Sequence, residues 1–154
     1  MPLTKEILEK YPNDIFIETG SYEGWGIQIA LSVGFKHIYS IEILPNRVKE
    51  LKKQFKKFPV TIMLGDSAIV LPTLIKIVPK ATILLDAHES TEPILSANKY
   101  PLKQELECLR GTPHTILIDD INLLHLWKIN IQEIYNMFPE KEIFLEFNNI
   151  MVCR

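Results

Sequence analysis

The sequence predicts an α/β fold: a mostly parallel sheet with helices on both faces. Three observations carry that expectation. Short apolar runs alternate with amphipathic stretches along the chain, the order that strand–helix–strand units produce. A glycine-bearing turn, Ile17-Glu18-Thr19-Gly20-Ser21-Tyr22-Glu23-Gly24-Trp25-Gly26, joins the first strand-like run to a helix-like one. Successive strand-like runs also end at or beside a carboxylate, at Glu18, Glu42, Asp66, Asp86 and Asp119-Asp120.

Taken in order, Leu3, Ile7, Leu8 and Tyr11 form one face of a first helix, which Pro12-Asn13 ends. Asp14 to Thr19 is nearly continuous apolar sequence, as a strand buried on both faces requires. Trp25 to Val33 is a helix stopped by Gly34, a residue suited to the left-handed cap. His37 to Ile43 is the second strand, and Pro45 to Phe58 a helix with Val48, Leu51 and Phe55 at helical spacing. Val60 to Leu64 is the third strand, closed by Gly65-Asp66-Ser67, and Ser67 is the expected cap of a helix through about Val78. Ala81 to Leu85 is the fourth strand, with Asp86-Ala87-His88 at its end. Glu89 to Tyr100 has little periodicity and contains Pro93, so it reads as a loop and the best candidate for a substrate lid. Pro101 begins a helix whose Leu102, Leu106 and Leu109 share a face, and Gly111 and Pro113 stop it. His114 to Ile118 is the fifth strand. Leu123 to Phe138 reads as helical, with Asn122 to Trp127 as an irregular cap in the alternative. Lys141 to Phe147 and Ile150 to Cys153 form a closing hairpin about Asn148-Asn149.

The chain has 154 residues, the size of one domain, residues 1–154, with a single good core. A 47% hydrophobic and 23% charged composition is that of a globular protein, not a disordered one. The net charge of -2 supplies no global field for nucleic acid or an anionic membrane. No apolar run approaches a membrane span, and Met1 to Asn13 lacks the apolar stretch of a signal peptide. Cys108 and Cys153 are far apart and not in a metal-binding spacing. A cytoplasmic protein is the expectation.

In sheets of this type ligands lie beyond the carboxyl ends of the strands. A glycine turn brings backbone close to a ligand, and Glu42, one strand over, suits the hydroxyls of a ribose. The dinucleotide fingerprint has its glycines at first, third and sixth positions. Here an acid precedes them, in the order Glu18-x-Gly20-x-x-x-Gly24-x-Gly26. A carboxylate there repels a pyrophosphate but suits a cofactor with a cationic amino-acid tail, such as S-adenosylmethionine. The plain alternative is a turn that only reverses the chain. Asp66 could meet the exocyclic amine of adenine, and Asp66-Ser67 could equally be a helix cap.

The ordered set Ile-Glu-Thr-Gly-Ser-Tyr-Glu-Gly-Trp-Gly, Tyr-Ser-Ile-Glu-Ile, Gly-Asp-Ser, Leu-Leu-Asp-Ala-His-Glu-Ser, Pro-Leu-Lys-Gln-Glu-Leu and Ile-Leu-Ile-Asp-Asp resembles class I S-adenosylmethionine-dependent methyltransferases. It is most similar to a group with Asp-Ala-His after the fourth strand and a later Ile-Asp-Asp, and the resemblance runs from about Asp14 to Asp120. It implies a Rossmann-like sheet of seven strands whose last two form the antiparallel hairpin. It implies Glu18, Gly20 and Gly24 at the methionine end of the cofactor, Glu42 on the ribose, Asp66 and Ser67 at the adenine, Tyr22 and Ile43 as further cofactor-binding residues, and Asp86 facing the reacting atom.

A second cluster comprises Asp86, His88, Asp119 and Asp120. Carboxylates from adjacent strand ends can converge, and such oxygen ligands select Mg²⁺ or Ca²⁺. The arrangement is similar to metal-dependent O-methyltransferases, which implies Mg²⁺ on Asp86, Asp119 and Asp120, acidifying the acceptor hydroxyl. By the same analogy His88 is the catalytic base, acting with Asp86; imidazole titrates in the range that suits the task. The structural alternatives are that Asp119-Asp120 caps the next segment, that Asp86 contacts cofactor without metal, and that His88 is a hydrogen-bonded structural residue. Arg47, Lys49, Lys52, Lys53, Lys56 and Lys57 make one helix basic, which reads as a solvated face before an anionic-partner surface.

The expected activity is therefore O-methylation of a small-molecule or sugar-like hydroxyl by S-adenosylmethionine, with Mg²⁺ assistance. The alternative is a non-catalytic S-adenosylmethionine-binding module or accessory subunit. The expected partner is a small acceptor, with a homo-oligomer left open because little sequence lies outside the core fold.

Overall fold

The computed structural model describes residues 3–88 and 100–154. The expected lid, Glu89 to Tyr100, lies outside the described residues apart from Tyr100 itself. The elements, in order, are α1 (Lys5–Glu9), β1 (Ile15–Thr19), α2 (Trp25–Val33), β2 (His37–Glu42), α3 (Pro45–Gln54), β3 (Val60–Leu64), α4 (Ser67–Leu74), β4 (Thr82–Leu85), α5 (Leu102–Leu109), β5 (Thr115–Ile118), α6 (Ile131–Met137), β6 (Ile143–Leu145) and β7 (Met151–Cys153). They build one seven-stranded sheet in the order β3-β2-β1-β4-β5-β7-β6. The five strands β3-β2-β1-β4-β5 are parallel, and β7 and β6 close the sheet antiparallel.

Two apolar layers sandwich the sheet. Ile7, Phe16, Ile27, Ile38, Val48 and Leu51 fill the layer under α1, α2 and α3. Ile17, Ile41, Leu71, Leu106, Ile134 and Phe138 fill the layer under α4, α5 and α6. Alternate residues of one strand, such as Phe16 and Ile17, enter opposite layers, which is why the parallel strands read as continuous apolar runs.

Several boundaries differ from expectation for local reasons. Gly34, at φ 97°, ends α2 where the cap signal placed it, its N–H reaching the Ala30 and Leu31 carbonyls. Asp66, not Ser67, caps α4: its carboxylate accepts from Ala68 N, and the helix stops at Leu74 rather than Val78. Helix α3 ends at Gln54, and the residues from Phe55 to Phe58 form a turn closed by Phe58 N donating to the Phe55 carbonyl. The long helix expected from Leu123 does not form; the irregular alternative does. A 3-10 turn spans Ile121–Leu123, and Lys128 has φ 56°. Asn130 then restarts the helix through a capping box with Glu133. Asn148 and Asn149, at φ 61° and 60°, take left-handed conformations in the hairpin turn between β6 and β7, a region that asparagine tolerates better than most residues. Among the described residues no helix is long and apolar enough to cross a membrane.

Candidate functional site

The parallel strands all point their carboxyl ends the same way, so the sheet order sets Asp66, Glu42, Glu18 with Gly20, Asp86, and Asp119-Asp120 in a row. Neighbouring strands lie 4.7–4.9 Å apart, so the row from β3 to β5 spans roughly 19 Å, room for a nucleoside joined to an amino-acid tail.

Glu18 anchors the centre. It is 2% exposed, and its Oε1 accepts a 2.6 Å hydrogen bond from the Ser40 hydroxyl, which also contacts the Ser21 hydroxyl. Ser40 sits directly across from Glu18 in the β1–β2 register. Burial, the largest effect, pushes the Glu18 carboxyl up to about 8; Ser40 opposes this, while the charges of Asp86 and Glu42 add to it. A buried acid of this kind is complemented by an incoming cation. Gly26 makes the arrangement possible, because a side chain there would overlap Glu18 Oε2.

Gly20 is needed for two reasons. It has φ 80°, and a Cβ on it would overlap the Asp86 carbonyl oxygen and lie 2.9 Å from the carbonyl carbon. The glycine turn thus passes directly over the exit of β4. Thr19 Oγ1 accepts from Asp86 N at 3.2 Å and ties the same two strand ends. Gly24 has φ 79° as well, and packing also calls for it: its Cβ would stand 2.7 Å from the Phe55 ring and 2.9 Å from Leu51, so this glycine lets α3 close on the turn.

Glu42 accepts from Tyr22 N at 3.0 Å and from Leu44 N at 2.9 Å, one bond to each oxygen. Its carboxylate therefore holds the glycine turn and the start of α3 in place, and each oxygen keeps a further lone pair for a ligand hydroxyl. Tyr22 is exposed, with the Arg47 guanidinium 4.2 Å from its ring centroid. Ile43 follows β2 and is half-buried. Asp66 is occupied by its capping bond, which is the structural alternative, and Ser67 is buried as the first residue of α4.

The second cluster is rearranged from the expected trio. The described residues whose ligating atoms lie within 4.8 Å of one another are Asp86, His88 and Asp120. His88 Nε2 stands 3.3 Å from Asp86 Oδ1 and 3.3 Å from Asp120 Oδ2. Its ring stacks on Trp127, with centroids 6.0 Å apart and planes 17° apart. Asp119 turns inward: it is 1% exposed, its Oδ1 accepts from Asp120 N at 2.6 Å, and its Oδ2 has no partner among the described residues. Burial, then the charges of Asp86 and Asp120, push the Asp119 carboxyl up to about 8. Burial also raises Asp86, against the opposing bond to His88. Asp120, at φ 49°, makes no side-chain bond to the 3-10 turn that follows, so helix capping does not account for it.

Two residues of the site, Ser40 and Glu105, have no role in the sequence reading, and Gly26 reads there as a turn glycine without its contact to Glu18. Ser40 is a polar residue within an apolar strand, Gly26 is a glycine inside a helix, and Glu105 is an acid on the apolar stripe of α5. Each is an exception to its local pattern, which is the signal that could have found it.

The fold is that of S-adenosylmethionine-dependent methyltransferases. A structure of such an enzyme from Anabaena variabilis superposes with a TM-score of 0.57 at 15% identity, over 96% of this chain and 78% of the other. A Staphylococcus aureus protein assigned as a caffeoyl-CoA O-methyltransferase gives 0.60 at 14% identity, over 97% and 78%. Human methyltransferase-like protein 13, bound to S-adenosylhomocysteine, gives 0.59 at 16% identity, over 99% and 76%. No protein-family model matches the chain, and no curated protein does.

Proposed function

We propose that the protein is an S-adenosylmethionine-dependent methyltransferase acting on a hydroxyl of a small acceptor with Mg²⁺ assistance. The observation that carries this reading is the pairing, on adjacent strand tips, of two unlike sites. One is the buried Glu18 seated on Gly26 and Ser40, which suits a cationic tail. The other is the Asp86–His88–Asp120 cluster, which suits a metal and a proton acceptor. The superposition on S-adenosylmethionine-dependent methyltransferases, one of them assigned as an O-methyltransferase, supports the same reading.

Glu18 would hold the ammonium of the cofactor's amino-acid tail beside Gly20, and Glu42 the ribose hydroxyls between the backbone groups it already engages. Asp66, Ser67 and Ile43 would border the adenine, with Tyr22 and Gly24 shaping the turn. When bound, S-adenosylmethionine supplies a methyl carbon on a cationic sulfur, open to in-line attack by oxygen as the carbon–sulfur electron pair leaves on sulfur. The residues then have two tasks, positioning the acceptor oxygen and removing its proton. His88 is placed to take that proton at Nε2, with Asp86 and Asp120 within 3.3 Å to stabilise the imidazolium formed.

The donor set fits a hard divalent cation. The carboxylates of Asp86 and Asp120 converge closely enough to share one ion. Asp86 and Asp120 would hold Mg²⁺ with oxygens of water and acceptor, and the ion would lower the pKa of a bound hydroxyl. The test is calorimetry with S-adenosylhomocysteine together with label transfer from methyl-labelled S-adenosylmethionine. Micromolar-class binding and transfer to hydroxyl-bearing acceptors are expected. Binding without any transfer would favour a non-catalytic cofactor-binding module, and no binding would overturn the reading.

A further inference from the structure

The most costly unexplained feature of the molecule is Glu105. It lies on α5 among Leu102, Leu106 and Leu109, is 0% exposed, and neither carboxylate oxygen has a hydrogen-bond partner among the described residues. A carboxylate buried in this way is unfavourable unless a donor or cation complements it. Nothing in helix packing calls for an acid at this position, where a leucine or methionine would continue the stripe. The hydroxyls of Ser67 and Thr19 lie near enough to favour its charged form, and Thr19, which accepts from Asp86 N, keeps its own proton to offer; neither hydroxyl brings a positive charge.

Glu105, though shielded from solvent, stands at a cavity wall. It lines the same cavity as Asp86 and His88 at the tip of β4, and the other walls include the rings of Tyr100 and Trp127. No lysine or arginine is among the cavity's described lining residues. The cavity thus combines two carboxylates, two aromatic rings and the proposed catalytic imidazole. A carboxylate with aromatic faces is the chemistry that recognises an ammonium group, through an ion pair and through the rings' negative faces. An anionic acceptor would be repelled by Asp86 and Glu105, and a neutral donor would hydrogen-bond the Glu105 oxygens without balancing a buried negative charge.

We propose that the acceptor carries a cationic amine in addition to its hydroxyl, and that Glu105 is the seat of that amine. The inference rests on reading this cavity as the acceptor site of a methyltransferase and deepens it by naming the substrate class. Burial, the largest effect, raises the Glu105 carboxyl to about 7, so an arriving ammonium would also complete its ionisation.

The test uses the full chain saturated with S-adenosylhomocysteine. Benzylamine, cationic at neutral pH, and benzyl alcohol, its neutral counterpart of similar size, are titrated while the Trp127 indole N–H signal is followed by NMR. Benzylamine is expected to bind saturably and at least tenfold more tightly than benzyl alcohol. In Glu105→Gln the two affinities are expected to converge within twofold, and Glu105→Leu serves the same purpose if the glutamine variant folds poorly. Equal affinities in the wild type, no saturable benzylamine shift, or a preference that survives both substitutions would overturn the proposal. Calorimetry with S-adenosylhomocysteine on the same samples separates the two failures: intact cofactor binding without amine preference sinks this inference alone, whereas lost cofactor binding in the wild type sinks the methyltransferase reading with it.

Discussion

Replacing Gly26 by alanine sets two ordinary effects against each other, and the structure says which wins. Gly26 lies in the first turn of α2, where alanine gains about 0.5–1 kcal/mol over glycine from backbone entropy. Its new methyl group, however, would overlap Glu18 Oε2 and stand 3.1 Å from the carboxyl carbon. Overlap with the end of a side chain is cheap where that end can swing away. Here it has nowhere to go: Glu18 is 2% exposed and pinned by Ser40 at 2.6 Å. Displacing it loses a hydrogen bond of about 0.5–1.5 kcal/mol. Overpacking adds about 1–3 kcal/mol, so after the alanine gain the variant should be net destabilised by about 0.5–4 kcal/mol. Because Glu18 is the proposed seat of the cofactor's ammonium, S-adenosylhomocysteine affinity should also fall at least ~10-fold, or about 1.4 kcal/mol. Urea unfolding and calorimetry read the two effects separately. A variant as stable as wild type, with unchanged affinity, would refute the placement of the Glu18 carboxylate against α2.

Glu42→Ala should weaken S-adenosylhomocysteine at least ~10-fold by calorimetry, since it removes the ribose acceptor and also releases Tyr22 N and Leu44 N; unchanged affinity would count against the ribose assignment. Stability of the unliganded protein should fall as pH rises from 6.5 to 8, because Glu105 (about 7) and Glu18 (about 8) hold protons in the folded state that the unfolded chain, with its carboxyls near 4.5, has already lost. His114, lowered by burial from 6.5, acts in the opposite sense and its effect fades across the lower part of that window, so midpoints of urea unfolding that stay flat or rise across the upper part would contradict the burial of the two acids. Methyl transfer should be lost with EDTA and restored by Mg²⁺, and Asp120→Asn should raise the Mg²⁺ concentration required; activity indifferent to chelation would remove the metal and leave His88 as the sole proton acceptor.

What the sequence made legible follows from how far each signal reaches along the chain. Helix α2, from Trp25 to Val33, and strand β3, from Val60 to Leu64, match expectation at both ends because their limits are local: a glycine cap in one and a Gly-Asp-Ser turn in the other. The segment after Asp120 misled because Leu124, Ile129 and Ile134 keep an apolar spacing while Lys128 adopts a left-handed conformation that no apolar pattern records. The parts that Ser40 and Gly26 play emerge only once the strand register sets Ser40 across from Glu18 and the turn folds α2 back onto the same carboxylate.

The acidic cluster shows the same limit at the scale of single side chains. Successive residues leaving a strand point to opposite sides, so the pair Asp119-Asp120 was never free to present both carboxylates to one point while its backbone stayed extended. The chain turns at Asp120 to φ 49°, which brings that carboxylate toward Asp86 while Asp119 goes inward. Asp86 and His88, two positions apart, share a side by the same periodicity, and so the imidazole takes the place expected for Asp119. A metal bound here would have to displace His88 Nε2 from between the two aspartates or accept it as a ligand. The first outcome leaves the imidazole available to the acceptor hydroxyl, and the second removes it. Mg²⁺, with its preference for oxygen over imidazole nitrogen, favours the first, so the metal site and the base compete for space and operate together only if His88 swings aside.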